Sequence, residues 1–246
     1  GQELIWSGMA DEKQFDIISD RLVEKYFCHP QYYRIGGKPV FMIYDLKNLM
    51  LGLGGLENTR RKLDSLREKC VKAGLPGLHL QITQWGDNIE NFSGVDSNAD
   101  LGSAHTSDMA KRLGFDAVLL SPGGLGHLTE EQLLERTEAV AKVMPVIGFY
   151  LQEAVGGRKL SREYWRKLAD IPNVVAIKCA CFDRYRTEDL VKGVMESERC
   201  DEVALYTGND DHIVMDLLTP FEHEEKKKYF VGGLLGQWSV WTHRAV

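Results

Sequence analysis

The stretch "IPNVVAIKCACF" at 171–182 places Lys178 in the middle of an apolar β-run. Val174, Val175, Ala176 and Ile177 precede it; Cys179, Ala180, Cys181 and Phe182 follow. Lysine is almost never fully buried unless it is paired. An amine in an apolar pocket loses the water that favours its charged form, so its pKa falls and neutral amine becomes available near pH 7. A neutral amine can attack a ketone carbon and form a Schiff base. A neighbouring tyrosine hydroxyl can move the protons that this needs, and Tyr150 in "PVIGFYLQ" is the candidate. Both residues also have ordinary readings. Lys178 could snorkel to the strand end or pair with a carboxylate such as Asp210, and Tyr150 could be core.

Side chains alternate across a strand. Ile177 and Cys179 therefore point one way, and Lys178 points the other way with Ala176 and Ala180. Those two small neighbours leave room for a substrate beside the amine. Other polar groups fall at the ends of neighbouring runs: Ser121 after "DAVLL", Gly208 and Asn209 in "YTGND", and Gly232 in "VGG". These four are candidates for substrate binding.

The elements that must position these groups follow from the spacing of apolar residues. Strand patterns lie at 3–6, 39–44, 78–83, 116–121, 145–151, 174–180, 203–207 and 229–233. Helical patterns lie near 11–27, 57–73, 104–113, 129–142, 161–169, 187–197 and 210–218. In "LTEEQLLERTEAVAKV", Thr129 and Gln132 have the spacing of a capping box, and Leu133, Leu134, Val140 and Val143 give an apolar stripe. Ser161 has the same capping position before "REYWRKLA". Strand–helix alternation predicts a mainly parallel sheet covered on both faces. Eight such runs in 246 residues suit an α/β fold of the (β/α)₈ TIM-barrel type. An open doubly wound sheet is the rival. "GLGGLENT" at 52–59 has neither Walker spacing nor a dinucleotide-binding setting and reads as a loop or helix entry. "HEEKKK" at 223–228 reads as a solvated loop, and the polar stretch 84–103 as the best candidate boundary.

Composition narrows the partners. The chain is 43 % hydrophobic and 27 % charged, with a formal net charge of −6, which does not favour nucleic-acid binding. No apolar run reaches the roughly 20 residues of a membrane helix. The five cysteines include no CxxC pair and read as buried free thiols of a reducing compartment. The opening residues have neither a basic nor an apolar leader pattern. The expectation is a cytoplasmic protein with no membrane or nucleic-acid partner, no metal and no cofactor. Association into a homo-oligomer is compatible with it.

"GFDAVLLSP", "LTEEQLLERTEAVAKVMPVIGFYLQEAVGGRKLS", "IPNVVAIKCACFDRY" and "ALYTGNDDHIVMDLLTPF…VGGLLGQW" resemble the dihydrodipicolinate synthase/N-acetylneuraminate lyase family over about 105–246. The resemblance implies a class I aldolase barrel acting on pyruvate or a related 2-oxo acid. Lys178 matches the imine-forming lysine of strand six and Tyr150 the proton-shuttling tyrosine of strand five. Two departures stand out. "LQEAVGG" replaces the Asn-x-Pro segment after that tyrosine, and the Gly-Gly-Thr-Thr-type turn for the substrate carboxylate is missing. Residues 1–100, through "KYFCHPQYYRIGGKPVFMIYDL" and "TRRKLDSLREKCVKAGLPGLHLQ", resemble WbsX-like glycan-associated barrels related to endo-mannosidases.

The chain thus reads as one barrel-like domain over 1–246, possibly a hybrid of a WbsX-like segment (1–100) and a synthase-like segment (105–246). The alternatives to an aldolase are a glycan-active or glycan-binding protein and a catalytically inactive hybrid barrel. The carboxylates Glu57, Asp87 and Glu90 form no pair of the kind that glycosidic hydrolysis requires. Without the usual turn, a substrate carboxylate would depend on Thr59, Thr83 or the amides of Gly123 and Gly124. Pyruvate titrated calorimetrically should therefore bind more weakly than micromolar; micromolar affinity would reveal a carboxylate site that these residues do not suggest.

Overall fold

The computed structural model describes residues 9–84 and 99–234. The chain forms two compact units. One comprises 9–83 with 108–117; the other comprises 84, 99–107 and 118–234.

The first unit begins with helix α1 (Glu12–Leu22), which runs into a π-turn at Val23–Phe27. Asp11 and Gln14 form a complete capping box at its start. A short hairpin follows, in which β1 (Arg34–Ile35) turns back antiparallel onto β2 (Lys38–Ile43). Helix α2 (Leu46–Gly52) ends in the "GLGG" stretch. There Gly54 and Gly55 take φ of 78° and 115°, and Gly55 is the N-cap of α3 (Leu56–Lys72). The expected helix entry is what these glycines make, since positive φ is nearly free for glycine alone. β3 (His79–Gln84) pairs parallel with β2. Leu63 and Leu66 of α3, together with Leu80 and Ile82 of β3, are fully or almost fully buried. Lys62 Nζ donates to Asp16 at 2.6 Å, pinning α3 to α1.

Helix α4 (Ala99–Arg112) spans the change from the second unit back to the first. The second unit continues with β4 (Ala117–Leu120), α5 (Glu130–Ala141), β5 (Val146–Leu151), α6 (Arg162–Asp170), β6 (Val174–Ala180), α7 (Arg184–Glu196), β7 (Ala204–Thr207) and α8 (Ile213–Leu218). A hairpin of β8 (Phe221–His223) and β9 (Lys226–Lys228) leads into β10 (Phe230–Gly233). The sheet of this unit runs β4-β5-β6-β7-β10, and every pairing in it is parallel. All residues of β5, and all of β4, are buried, as expected of a parallel sheet covered on both faces. The Thr129 capping box is formed, and Ser161 caps α6.

Seven of the eight expected strands coincide with β2 to β7 and β10; the expected strand at 3–6 lies outside the described residues. The "HEEKKK" cluster is a hairpin rather than a loop. Its lysines do specific work. Lys226 Nζ donates to Met195 O at 2.6 Å in the last turn of α7, and Lys228 Nζ donates to Cys200 O. A cation satisfies carbonyls that a helix end leaves without partners, so charge here orders the chain. Most of the polar stretch 84–103 is outside the described residues, and α4 begins at Ala99, ahead of the expected 104. No helix of the described residues is long and apolar enough to cross a membrane.

Helices α6 and α7 pack closely through Gly193. A Cβ there would lie 2.5 Å from Arg162 O and 3.0 Å from Trp165 Cβ. Backbone cannot yield as a flexible side chain can. Gly193→Ala should therefore cost about 1–3 kcal/mol, read as a lower urea midpoint at unchanged m-value.

Candidate active site

Lys178 sits in β6, in register with Phe149 of β5 and Tyr206 of β7. Residues in register on adjacent parallel strands share a face. Phe149, Lys178 and Tyr206 thus stand side by side on one face of the sheet. Its Nζ lies 4.7 Å from the centre of the Phe149 ring. Ala176 and Ala180, two residues to either side along β6, are small and buried, as the alternation predicted.

Gly208 makes the space for the lysine chain. A Cβ on Gly208 would lie 2.9 Å from Lys178 Cε and 2.8 Å from Ala180 Cβ. The aliphatic stem therefore lies over Gly208, just past the end of β7. Burial pushes the Lys178 pKa down from its ordinary 10.5, and the Asp210 carboxylate opposes this in part. Among the described residues the ammonium has neither a hydrogen bond nor a salt bridge. The side chain is half-buried near the strand's C-terminal end, with the Asp210 carboxylate acting on it only through its field.

Tyr150 is not on that face. It pairs in register with Cys179, one residue out of phase with Lys178, and so lies on the opposite face. Gly148 fixes the phase independently: a Cβ there would lie 2.7 Å from Leu168 of α6. Gly148 and Tyr150 therefore both face the helices. The Tyr150 ring packs on Trp165 with centroids 4.8 Å apart, and its hydroxyl accepts from Leu160 N–H at 3.5 Å. Burial pushes this phenol up to about 12. The position beside Lys178 on β5 belongs to Phe149, which has no proton to give. The tyrosine on the lysine's own face is Tyr206, which the sequence reading passed over. It is 9 % exposed, and Gly232 on β10 faces its ring, where a Cβ would lie 3.2 Å from Tyr206 Cε1.

The four expected substrate-binding residues have structural contacts. Gly208 seats the lysine stem and Gly232 seats the Tyr206 ring. The Ser121 hydroxyl accepts from Gly123 N–H at 3.1 Å, and Ser121 O accepts from Arg136 Nη1 at 3.0 Å. Asn209 is buried and its side chain is engaged at both ends. Oδ1 accepts from Phe182 N–H at 3.0 Å, while Nδ2 donates to Asp216 Oδ2 at 3.1 Å and to Thr187 Oγ1 at 3.3 Å. Asp216 also accepts from Thr207 Oγ1 at 2.7 Å and from Arg184 Nη1 at 3.1 Å. This network ties the ends of β6 and β7 together.

The groups considered for a carboxylate are mostly committed elsewhere. Thr59 donates to Gly55 O at 2.8 Å, and the Gly124 N–H goes to Gly156 O at 3.3 Å. The Gly123 N–H goes to Ser121 Oγ. Thr83 Oγ1 is buried with no partner among the described residues. Cys179 and Cys181 share one face, with sulfurs 3.7 Å apart. Cys28 is exposed, against the expectation of burial, while the other four thiols are buried. No group of three or more His, Cys, Asp or Glu among the described residues could hold a metal ion. Glu57 lies at the start of α3, and Asp87 and Glu90 are outside the described residues.

The chain belongs to the dihydrodipicolinate synthetase family, whose model matches residues 79–220. That match begins at β3, ahead of residue 105, where the resemblance was read from the sequence. The 4-hydroxy-tetrahydrodipicolinate synthase of Caldicellulosiruptor bescii is 28 % identical over 157 residues, which are 58 % of this chain and 51 % of that protein. The synthase of Kosmotoga olearia is 30 % identical over 137 residues, 54 % of this chain and 45 % of that one. The chain thus spans about half the length of the curated relatives it matches.

Solved structures share the fold. The dihydrodipicolinate synthase of Acinetobacter baumannii, complexed with pyruvate, superposes with a TM-score of 0.54 at 21 % identity, covering 83 % of this chain and 62 % of that one. The N-acetylneuraminate lyase of Mycoplasma synoviae gives 0.55 at 16 % identity, covering 94 % and 67 %.

The lysine carries a stability cost of known sign. Well below the lowered pKa the amine is protonated in folded and unfolded chains alike, and the folded chain bears the full desolvation penalty. As pH rises through the folded pKa towards 10.5, the folded amine sheds its proton first and the penalty is relieved. Lys178→Met should therefore melt above the wild type at pH 7, and the gap should narrow steadily as pH approaches 10. A gap that stays constant with pH would show that the amine is solvated.

Proposed function

We propose that this chain is a class I aldolase-type lyase or synthase in which Lys178 forms a Schiff base with pyruvate or a related small 2-oxo acid. The observation that carries the reading is the desolvated amine between Phe149 and Tyr206, with its stem over Gly208. Such an amine is neutral more often at neutral pH, and a neutral lone pair is what adds to a carbonyl carbon. Family membership supports the same chemistry, and the synthase from Acinetobacter baumannii is a pyruvate complex. Desolvation of the half-buried side chain favours the neutral amine over the ammonium.

The same proposal includes a (β/α)₈ barrel as the finished architecture, homo-oligomeric assembly, and a reaction that needs no metal or organic cofactor. Attack by an amine on a 2-oxo acid requires only proton transfers.

Treatment with pyruvate and borohydride should leave one reduced adduct, located on Lys178 by peptide mass. Lys178→Ala should lose it. Gly208→Ala should cut adduct formation at least tenfold while the fold persists by circular dichroism, because its Cβ takes the place of the lysine stem. A folded wild-type chain that gives no adduct at saturating 2-oxo acid would end the aldolase reading and leave Lys178 a structural lysine.

A further inference from the structure

We infer that Cys179 and Cys181 form a peroxide-sensitive dithiol, and that its closure to a disulfide switches off Schiff-base formation at Lys178. The control of Lys178 rests on the Schiff-base reading above; the thiol chemistry stands apart from it.

Cysteines in a core are ordinarily inert apolar filling. These two have a polar setting instead. Their sulfurs lie 3.7 Å apart at the end of β6, on the face turned away from Lys178. The Thr187 hydroxyl of α7 lies 3.3 Å from the Cys181 sulfur and 3.6 Å from that of Cys179. Asn209 Nδ2 is 3.9 Å from the Cys179 sulfur. Cys179 is completely enclosed, whereas 5 % of Cys181 is exposed. A small peroxide therefore meets Cys181 first, and Cys179 waits as the partner sulfur. The hydrogen bond from Cys179 lowers the Cys181 thiol towards the thiolate that attacks peroxide, while burial keeps Cys179 protonated.

The pair is tied to the lysine through the strand. Cys179 follows Lys178, and its carbonyl accepts from Gly208 N–H at 2.6 Å. Ala180 lies between the two cysteines and faces the other way, where a Cβ on Gly208 would lie 2.8 Å from Ala180 Cβ and 2.9 Å from Lys178 Cε. A disulfide bond is about 2.0 Å long, so closure from 3.7 Å draws the sulfurs together by about 1.7 Å. Pulling two such residues together on one face of a strand bows the residue between them out on the other. Here that moves Ala180 towards the Gly208 seat of the lysine stem. β6 ends at Ala180, and Phe182 takes a left-handed φ of 55°, so Cys181 lies past the ladder that would resist the bend.

The oxidant is hydrogen peroxide, and the electrons balance. The Cys181 thiolate attacks one peroxide oxygen. The S–O bond forms, the O–O bond breaks, and the departing hydroxide takes up the proton that Cys181 released. Cys181 is then a sulfenic acid. The Cys179 sulfur attacks the Cys181 sulfur; the S–S bond forms, the S–O bond breaks, and hydroxide leaves with the Cys179 proton as water. Two thiols and one peroxide give one disulfide and two waters, and a dithiol reductant reverses the change.

The test uses the full chain carrying Cys28→Ser, since Cys28 is exposed, and treats it with hydrogen peroxide. After quenching, denaturation and alkylation, peptide mass should show Cys179 and Cys181 unalkylated and lighter by two hydrogens, with Cys70 and Cys200 alkylated. Borohydride trapping of pyruvate on Lys178 should slow at least tenfold, and dithiothreitol should restore it. Cys179→Ser should stop at a sulfenic acid on Cys181, captured by dimedone. Cys181→Ser should keep its adduct rate within threefold under peroxide, and Cys181→Ala repeats that arm should serine disturb the core. Both cysteines alkylated after peroxide treatment of the folded chain overturns the inference. A disulfide that leaves the adduct rate unchanged overturns it too, while the Schiff-base reading stands. No adduct from the reduced chain overturns the Schiff-base reading and with it the control of Lys178, and the peptide masses still decide on the thiol pair.

Discussion

A β-strand offers each side chain two directions, and register between strands decides which chains meet. That constraint organises the site. β5, β6 and β7 run parallel, with Phe149, Lys178 and Tyr206 at one level and Tyr150, Cys179 and Thr207 at the next. A shift of one residue would exchange the two sets completely. The lysine would then face Trp165 and the helices, and Tyr150 would take its present face. The irregularity between Val146 and Ile147, where β6 gains one residue against β5, sets this phase.

Register alone does not hold strand ends, where backbone groups run out of partners. The buried Asp216 carboxylate does that. It collects Thr207, Asn209 and Arg184, while Asn209 reaches back to the backbone of Phe182 after β6. A buried carboxylate is tolerated only when its oxygens are satisfied, and this one accepts three side-chain donors. Arg184 also lies 4.3 Å over the Phe221 ring, which joins the β8–β9 hairpin to the same network. The consequence for the site is indirect but firm. Gly208 lies between Thr207 and Asn209, so the network fixes the residue over which the lysine stem passes.

Glycines do the remaining shaping. Gly208, Gly232 and Gly148 each face a group that a Cβ would displace: the lysine stem, the Tyr206 ring and Leu168 of α6. Each absence of a side chain admits one neighbour at close range. Two of them, Gly208 and Gly232, are candidates for substrate binding in the sequence because they fall at the ends of neighbouring strands. In the structure their neighbours are the lysine stem and the Tyr206 ring.

The sequence by itself determined the elements and singled out Lys178. Seven strands, the capping boxes at Thr129 and the cap at Ser161 were legible because they depend on neighbours within a few positions. So was Lys178, because an ammonium group in an apolar run contradicts its surroundings whatever the fold. Its small neighbours Ala176 and Ala180 followed from alternation within one strand. Which tyrosine shares the face of Lys178 was not legible. In a strand buried on both faces, apolar residues fill both sides, so hydrophobicity carries no phase; β5 is buried at every residue. Phase came only from pairing with β6 and from the packing of Gly148 on α6. The roles of Asn209 and of the Lys226–Lys228 strand were likewise hidden, since their partners lie up to 31 residues away along the chain. Local spacing settles what a residue can do; tertiary pairing settles what it faces.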